Sequence, residues 1–451
     1  MIPRYATPSP MILLSVVKIP TACRGNRLTS ANSTAANATA PYIAEAAIFL
    51  IGCTCPFPQY WLPKSTLLKE IFPDRKYVSL DDPFLEQQAR EAGDMFLTLN
   101  APPVTIDEVQ REKELIRYIK IKCYESGEKG LFCLSGSQPF HLMRDISESL
   151  SGRIGIIELS GLSMRECMSD GFNKHFLPTM EYVAERRESL QKPKNIWEMI
   201  HMGGYPELQD GAKEWSAFYA DYVKTYIERD VRELAAVQDL SAFRQFMIAA
   251  AARTGEILNY SAVASEIGKD VGTVKKWVSI LDASGIVYLF EPYTSHVLKR
   301  AIKSPKLYFR DTGLVCYLTR WLTPETLAYG AMNGPVFETF VVSEILKSFA
   351  NEGLDYRYFV SYYRGRDKKK VKEDGETLEL ETEIDLIIEE NGTLYPIEIK
   401  KNTQAKAVMI SAFAVLDQIP GKKRGMGAVI CNCPDVGSLR ENILQIPVWY
   451  I

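Results

Sequence analysis

The chain has 451 residues, enough for about two to four domains that each bury a core of their own. Its hydrophobic content of 46% and charged content of 24% are globular proportions, and a net charge of −3 gives no overall bias toward nucleic acid. Nine scattered cysteines without a C-x-x-C pair, beside four histidines, argue against zinc and for the reduced thiols of a cytoplasmic protein.

The first residues carry little that folds. Met11 to Val17 lies behind Arg4 like the apolar part of a signal peptide, but two prolines stand just ahead and no clean cleavage site follows. Thr29 to Ala40 is a Ser/Thr/Ala/Asn run with little to bury, which predicts disorder. Ile43 to Ile51 is apolar yet far short of the roughly 20 residues that cross a bilayer, so no membrane span is expected. Residues 6–58 do not read as the strand that should lead into a phosphate-binding loop. The expectation is that a frameshift or decay has replaced that strand, leaving 1–61 as a divergent segment.

Lys64-Ser65-Thr66-Leu67-Leu68-Lys69-Glu70 reads as the exit of such a loop and the start of its amphipathic helix. In the motif G-x-x-x-x-G-K-[ST], backbone N–H groups converge on phosphate, and lysine and hydroxyl complete the cradle. Here Pro58 and Pro63 stand where both glycines would be. Proline fixes φ and has no N–H to donate. One charge-assisted hydrogen bond is typically worth roughly 1.5–3 kcal/mol, so Pro63 alone is expected to weaken phosphate binding about ten- to a hundredfold.

About forty residues on, Val104-Thr105-Ile106-Asp107-Glu108 is an apolar strand ending in two carboxylates. The first suits a Mg²⁺ ion held through water, and the second suits an attacking water. Leu131 to Ser137 is a further apolar strand ending in small polar residues, where Ser137 would sense a γ-phosphate. Ser151-Gly152-Arg153 then precedes the apolar stretch Ile154 to Leu159.

The middle of the chain reads as helical. Trp215 to Leu234 and Phe243 to Thr254 carry apolar residues at helical spacing. A short helix from Ala262, capped by Ser261, leads to a second over Gly272 to Ala283, with Val274, Trp277, Val278 and Leu281 inward. Apolar runs at 285–291 and 305–309 complete a winged helix-turn-helix pattern. Lys275 and Lys276 are the candidates for a DNA groove. With two exposed lysines and no basic flank, a protein spacer is the favoured reading.

Near the C-terminal end, Glu383 to Ile388 and Tyr395 to Lys400 read as two strands joined by a turn at Asn391-Gly392. Such a hairpin gathers Asp385, Glu398 and Lys400 at one end, and an upstream helix offers Glu338 as a fourth group. Two carboxylates can hold Mg²⁺, which lowers the pKa of a bound water, and the lysine can orient that water. The basic run Arg364 to Lys372 reads as a solvated loop, rather than a phosphate-backbone contact, neutralised across a hairpin by the acidic Glu373 to Glu383.

Taken together, these motifs resemble the AAA-type P-loop ATPases that carry a C-terminal domain of unknown function numbered 4143. The matching stretches include Lys64 to Glu70, Tyr77 to Pro83, the Ile106-to-Gln110 strand end, Leu134 to Gln138, Ser149 to Arg153, Gly203 to Glu207, Tyr226 to Val231 and Lys306 to Leu314. Asp385, Glu398 and Lys400 resemble the D…E-x-K core of restriction-endonuclease-like folds, with Glu338 at their helical acidic position. The implied architecture is α/β throughout. It comprises a three-layer P-loop core over 62–195, a helical and winged-helix region over 196–325, and a nuclease-like α/β domain over 326–451. The resemblance implies ATP and Mg²⁺ as ligands. Lys64, Ser65 and Thr66 would meet the phosphates and Ser65 and Asp107 the metal, while Glu108 would activate water. Arg153 would act in trans, which implies a homo-oligomer. Asp385, Glu398 and Glu338 would form a second metal site with Lys400 beside it. A nucleotide-driven switch or motor facing DNA or a protein partner is the leading expectation. The alternatives are a Mg²⁺-dependent nuclease with a regulatory or dead ATPase part, and an inactive binding remnant.

Overall fold

The computed structural model describes residues 47–52, 64–136, 154–209, 211, 213–227, 239–294, 304–371 and 377–451. The first sheet is parallel, built from β1 (Ala47–Gly52), β2 (Lys76–Ser79), β3 (Val104–Asp107), β4 (Phe132–Gly136) and β5 (Ile154–Leu159). Its order is β2-β3-β4-β1-β5. β1 is central: Ala47 pairs with Phe132 on one side and Ile154 on the other.

That placement overturns the expectation that the strand ahead of the loop is lost. A strand covered on both faces is a continuous apolar run rather than an alternating one, and Ala47-Ile48-Phe49-Leu50-Ile51-Gly52 has that form. Its six residues, too few for a bilayer, are an ordinary strand length. The parallel sheet therefore takes in a strand upstream of residue 62, and Pro58 and Pro63 lie outside the described residues. Eleven residues, 53–63, join β1 to the helix Lys64–Ile71, against five in the motif, and they lie outside the described residues.

The remaining helices of this unit are Pro83–Glu91, Gly93–Leu99 and Leu115–Ser126. The first starts sharply because Asp82 accepts from the Phe84 and Leu85 amides and Pro83 opens the helix. Phe96, Leu97, Ile116 and Ile119 pack with Val104, Ile106 and Leu134 in one core.

In the middle region, helices Leu240–Ala251, Tyr260–Ile267 and Val271–Ala283 are followed by a small antiparallel sheet. Its strands are β6 (Glu256–Ile257), β7 (Val287–Phe290) and β8 (Lys306–Phe309), in the order β6-β8-β7. Val274, Trp277, Val278 and Leu281 are buried, as their spacing predicts. The cap of the second helix is Asn259, whose side chain accepts from the Ala262 amide, and not Ser261, which lies inside the helix. The expected long helix from Trp215 is α-helical over Trp215–Asp221 and π-helical over Tyr222–Ile227, and residues 228–238 lie outside the described residues.

The last sheet contains β9 (Val360–Val371), β10 (Thr377–Glu390), β11 (Thr393–Lys400), β12 (Lys423–Arg424), β13 (Gly427–Cys431), β14 (Gly437–Arg440) and β15 (Ile443–Pro447). The main path runs β14-β15-β13-β11-β10-β9, with β12 beside β11. Asn391 and Gly392 both have positive φ, 50° and 77°, as the expected tight turn requires. Arg364 to Val371 is strand rather than loop: β9 pairs antiparallel with β10, setting Lys369 opposite Glu379. Arg364 meets Glu381 at 2.7 Å, so charge neutralisation across the hairpin operates between paired strands.

One buried core runs continuously from Met164 to Ile451, across the helical, middle and last regions. Residues 164–195 belong to it and not to the core of the first sheet. Arg165 Nε donates to the Ile451 carbonyl at 2.9 Å, and the Tyr182 hydroxyl donates to that of Tyr450 at 2.9 Å. Among the described residues, no helix is long and apolar enough to cross a membrane.

Where the first sheet hands over to this core, the backbones nearly touch: the Leu162 amide donates to the Gly204 carbonyl at 2.7 Å. A Cβ on Gly204 would lie 2.5 Å from the Leu162 carbonyl oxygen. Gly204→Ala is therefore expected to cost about 1–3 kcal/mol, read as a lower denaturant midpoint with far-UV circular dichroism retained. An unchanged midpoint would show that this junction is not closely packed.

Candidate functional site

Chemistry-bearing groups collect in two places. The first is the carboxyl edge of the parallel sheet, where ligands of open α/β folds bind. Asp107 closes β3 and is 4% exposed. It accepts from the Ser135 hydroxyl on β4 and from the Tyr77 hydroxyl on β2, and the Glu108 amide donates to it at 3.1 Å. A carboxylate with three donors is fixed in direction. Glu108 sits in the left-handed region, φ 54° and ψ 41°, with its carboxylate accepting from the Gln110 side-chain amide. Such a conformation is unusual for a residue with a Cβ and turns its side chain away from the strand direction.

β1 ends at Gly52 on the same edge, separated from β3 by β4 alone. Lys64, Ser65 and Thr66 form the first turn of the helix that follows, at the positive end of its dipole. Ser137 and Arg153 lie outside the described residues. The reading of the chain passed over Ser135 and Tyr77. Ser135 was open to detection as a hydroxyl near the end of an apolar strand, whereas nothing local marks Tyr77.

The second place is acidic. Asp385 on β10 and Glu398 on β11 lie side by side, because the hairpin register pairs Leu386 with Ile397. Lys400 Nζ is 3.1 Å from Asp385 Oδ2 and 2.7 Å from Glu398 Oε1. The Ile399 amide donates to Asp385 at 2.8 Å. Glu338, on the helix Asn333–Glu352, joins them as expected, and its charge interacts with that of Asp385. Glu338 is engaged by two groups that were not anticipated. The Tyr308 hydroxyl donates to its Oε1 at 2.6 Å, and Lys306 Nζ lies 3.5 Å away. Lys306 also reaches Glu383 at 2.6 Å. The signal was present: in β8, Lys306 and Tyr308 alternate with Leu307 and Phe309, so period two places them on one face.

Burial, followed by the neighbouring Asp385 charge, pushes the Glu338 carboxyl up to about 7 and the Glu398 carboxyl up to about 8. Burial lowers Lys306 and Lys400, but the surrounding carboxylates outweigh it and hold both above the ordinary lysine range. Among the described residues, no three His, Cys, Asp or Glu side chains converge closely enough to form a protein-only metal cage. Mg²⁺ does not need one, since one or two carboxylates and several waters suffice. Asp385 and Glu398 fit that role, and Glu398 Oε2 is buried without a hydrogen-bond partner. Glu338 is directed toward Tyr308 and Lys306 instead.

A carboxyl raised in the folded state binds its proton more tightly there than when unfolded. Between about pH 5 and 8 the folded chain therefore holds protons that the unfolded chain has lost, and this contribution to stability falls as pH rises. Glu398→Gln removes the term. The melting temperature of the variant is expected to fall less between pH 5 and 8 than that of the unmodified chain, and parallel profiles would contradict the assignment.

Two family models match the chain. Residues 63–168 match an AAA domain, and residues 193–325 match a domain of unknown function, DUF8612, which is a different family from the domain numbered 4143. The uncharacterized proteins Mb2031c of Mycobacterium bovis and Rv2008c of Mycobacterium tuberculosis are each 26% identical to it over 301 residues, 66% of this chain. The chain spans 59% of the length of these relatives. Among solved structures, protein VC1899 from Vibrio cholerae is 13% identical, covering 89% of this chain and 94% of its own, with a TM-score of 0.17 that carries no argument. The segment around the first candidate site is thus similar to an AAA domain.

Proposed function

We propose that the chain is an ATP-binding AAA-type switch coupled to a C-terminal cation site of restriction-endonuclease-like geometry, with the middle helices and small sheet serving as a winged-helix spacer. The observation that carries the first half is Asp107. It is buried, fixed by Tyr77 and Ser135, and lies on the sheet edge where β1 ends before the helix that begins at Lys64. In this reading Lys64, Ser65 and Thr66 receive the phosphates. Ser65 and Asp107 hold Mg²⁺, which supplies charge neutralisation along them. Glu108, projecting from its left-handed turn, orients the attacking water. Ser137 reads the γ-phosphate, and Arg153 reaches a neighbouring copy in a homo-oligomer. A nucleic acid or protein receives the output at the C-terminal end.

Pro63 directly precedes Lys64 and has no N–H for phosphate. In this reading the lost donor weakens binding without abolishing it. Calorimetry of the purified chain is expected to show saturable Mg-ATP binding, tightened about tenfold in Pro63→Gly and weakened at least tenfold in Lys64→Ala. No saturation at millimolar nucleotide by either the unmodified chain or Pro63→Gly would sink the nucleotide reading.

A second reading, a Mg²⁺-dependent nuclease with a regulatory ATPase part, draws on the orphaned Glu398 oxygen beside Asp385 and Lys400. Nicking of DNA that needs Mg²⁺ and disappears in both Asp385→Ala and Glu398→Ala would favour it over the switch.

A further inference from the structure

Lys306 does not belong to the hairpin that forms the acidic site. It reaches the site from β8, in the small middle sheet, and is 3% exposed. Its ammonium lies 2.6 Å from Glu383 and 3.5 Å from Glu338, and Asp385 contributes to its electrostatic environment. Its stem passes the Tyr362 ring, with Nζ 5.6 Å from the centroid. An ammonium buried among carboxylates occupies the kind of place that a bound metal ion would otherwise fill. The site nonetheless keeps one opening. Glu398 is 9% exposed, and its Oε2 is buried with no hydrogen-bond partner, so an acceptor remains unfilled even with both lysines in place.

We propose that Lys306 is a built-in competitor for the divalent cation of the acidic site, so that the site takes up a metal ion fully only when β8 withdraws this ammonium. The proposal rests on reading Asp385 and Glu398 as cation ligands. It adds that the site's occupancy is controlled by a residue of another region. β8 is suited to that control. The residue after it, Arg310, pairs with Glu158 of β5 at 3.4 Å, and the next, Asp311, accepts from the Gly204 amide at 2.7 Å. One short segment therefore touches both the end of the parallel sheet and the acidic site.

The test is titration of the full chain with Mn²⁺ alone, followed by electron paramagnetic resonance of the free ion at pH 8. Lys306→Met keeps the stem and removes the charge. It is expected to bind Mn²⁺ at least about tenfold more tightly than the unmodified chain, by the removal of a positive charge that interacts with Asp385. Lys306→Arg keeps the charge and is expected to show no gain. Asp385→Asn combined with Lys306→Met is expected to lose the tight binding. If Asp385→Asn weakens binding but Lys306→Met does not strengthen it, the competitor role is refuted and the cation site stands. If Asp385→Asn changes neither protein, the cation site itself is refuted. A measurement on the unmodified chain guards against variants that do not fold: amine-reactive labelling read by mass spectrometry. Labelling of Lys306 is expected to rise when Mn²⁺ is in excess, because a divalent charge held by Asp385 and Glu398 repels the neighbouring ammonium. Unchanged or reduced labelling at saturating Mn²⁺ would overturn the proposal.

Discussion

Strand β8 is buried at every residue, and the neighbouring regions are assembled around it. Leu307 and Phe309 pack into the large core, while Lys306 and Tyr308 face the carboxylates of Glu338 and Glu383. Taking an ammonium out of water costs several kcal/mol unless carboxylates replace the lost hydration, and the carboxylates have the same need. Each half of this arrangement compensates buried charge in the other. Unfolding the middle sheet alone would leave Glu338 buried with its charge uncompensated, and unfolding the hairpin would do the same to Lys306. This reciprocal dependence is a physical reason for the two regions to share one uninterrupted core instead of forming two.

The link from the parallel sheet to the acidic site does not rest on its most visible ion pair. Glu158 is half-exposed, so its contact with Arg310 is worth a fraction of a kcal/mol in water. The buried contacts carry more. Lys347 Nζ donates to the Leu162 carbonyl at 3.0 Å and to Glu344 at 2.9 Å, while Glu344 accepts from the Met164 amide at 2.6 Å. All of these sit where the chain leaves β5, and both side chains belong to the helix that carries Glu338. Residues 338 and 344 are less than two turns apart on that helix. A change in the path after β5 is therefore presented to the acidic site by a rigid rod as well as by β8. The cavity at this junction is about 20 Å³, room for a single water, so the packing leaves little freedom to absorb motion.

Much of this was legible in the chain, for reasons that differ from element to element. The acidic hairpin could be read because its turn residues, its register and its charged positions all lie within a few residues of one another, and local chemistry decides all three. The inward face of the helix Val271–Ala283 followed from spacing alone. β1 was misread because a central parallel strand carries no alternation, and an apolar hexamer after a low-complexity run has no local feature that distinguishes it. The charge density of Arg364 to Val371 reads as a loop, yet its neutralisation by the acidic run across the hairpin is compatible with the strand pairing that forms. Period two places Lys306 and Tyr308 on one face of β8, but which carboxylate they meet, like the partner of Tyr77, is decided by a contact across 30 or more residues of sequence.

The acidic site also shows why its parts must be considered together. Glu338, Asp385 and Glu398 face Lys306 and Lys400, so three largely buried acidic groups meet two basic ones, while Glu383 stands at the exposed rim. With burial excluding water, the remaining negative charge has two outlets: a proton, or a cation from solution. The upward displacement of the Glu338 and Glu398 carboxyls is the first outlet in operation. The second draws on the same excess, because the field that makes a carboxylate hold a proton also draws a divalent ion, and with twice the charge. A proton satisfies one oxygen, whereas a divalent ion would be held by both Asp385 and Glu398, whose Oε2 has no hydrogen-bond partner among the described residues. If the cluster were a purely structural ion pair, natural packing would be expected to match its charges and satisfy its oxygens. It does neither, and that imbalance is the physical ground for treating the hairpin as a site.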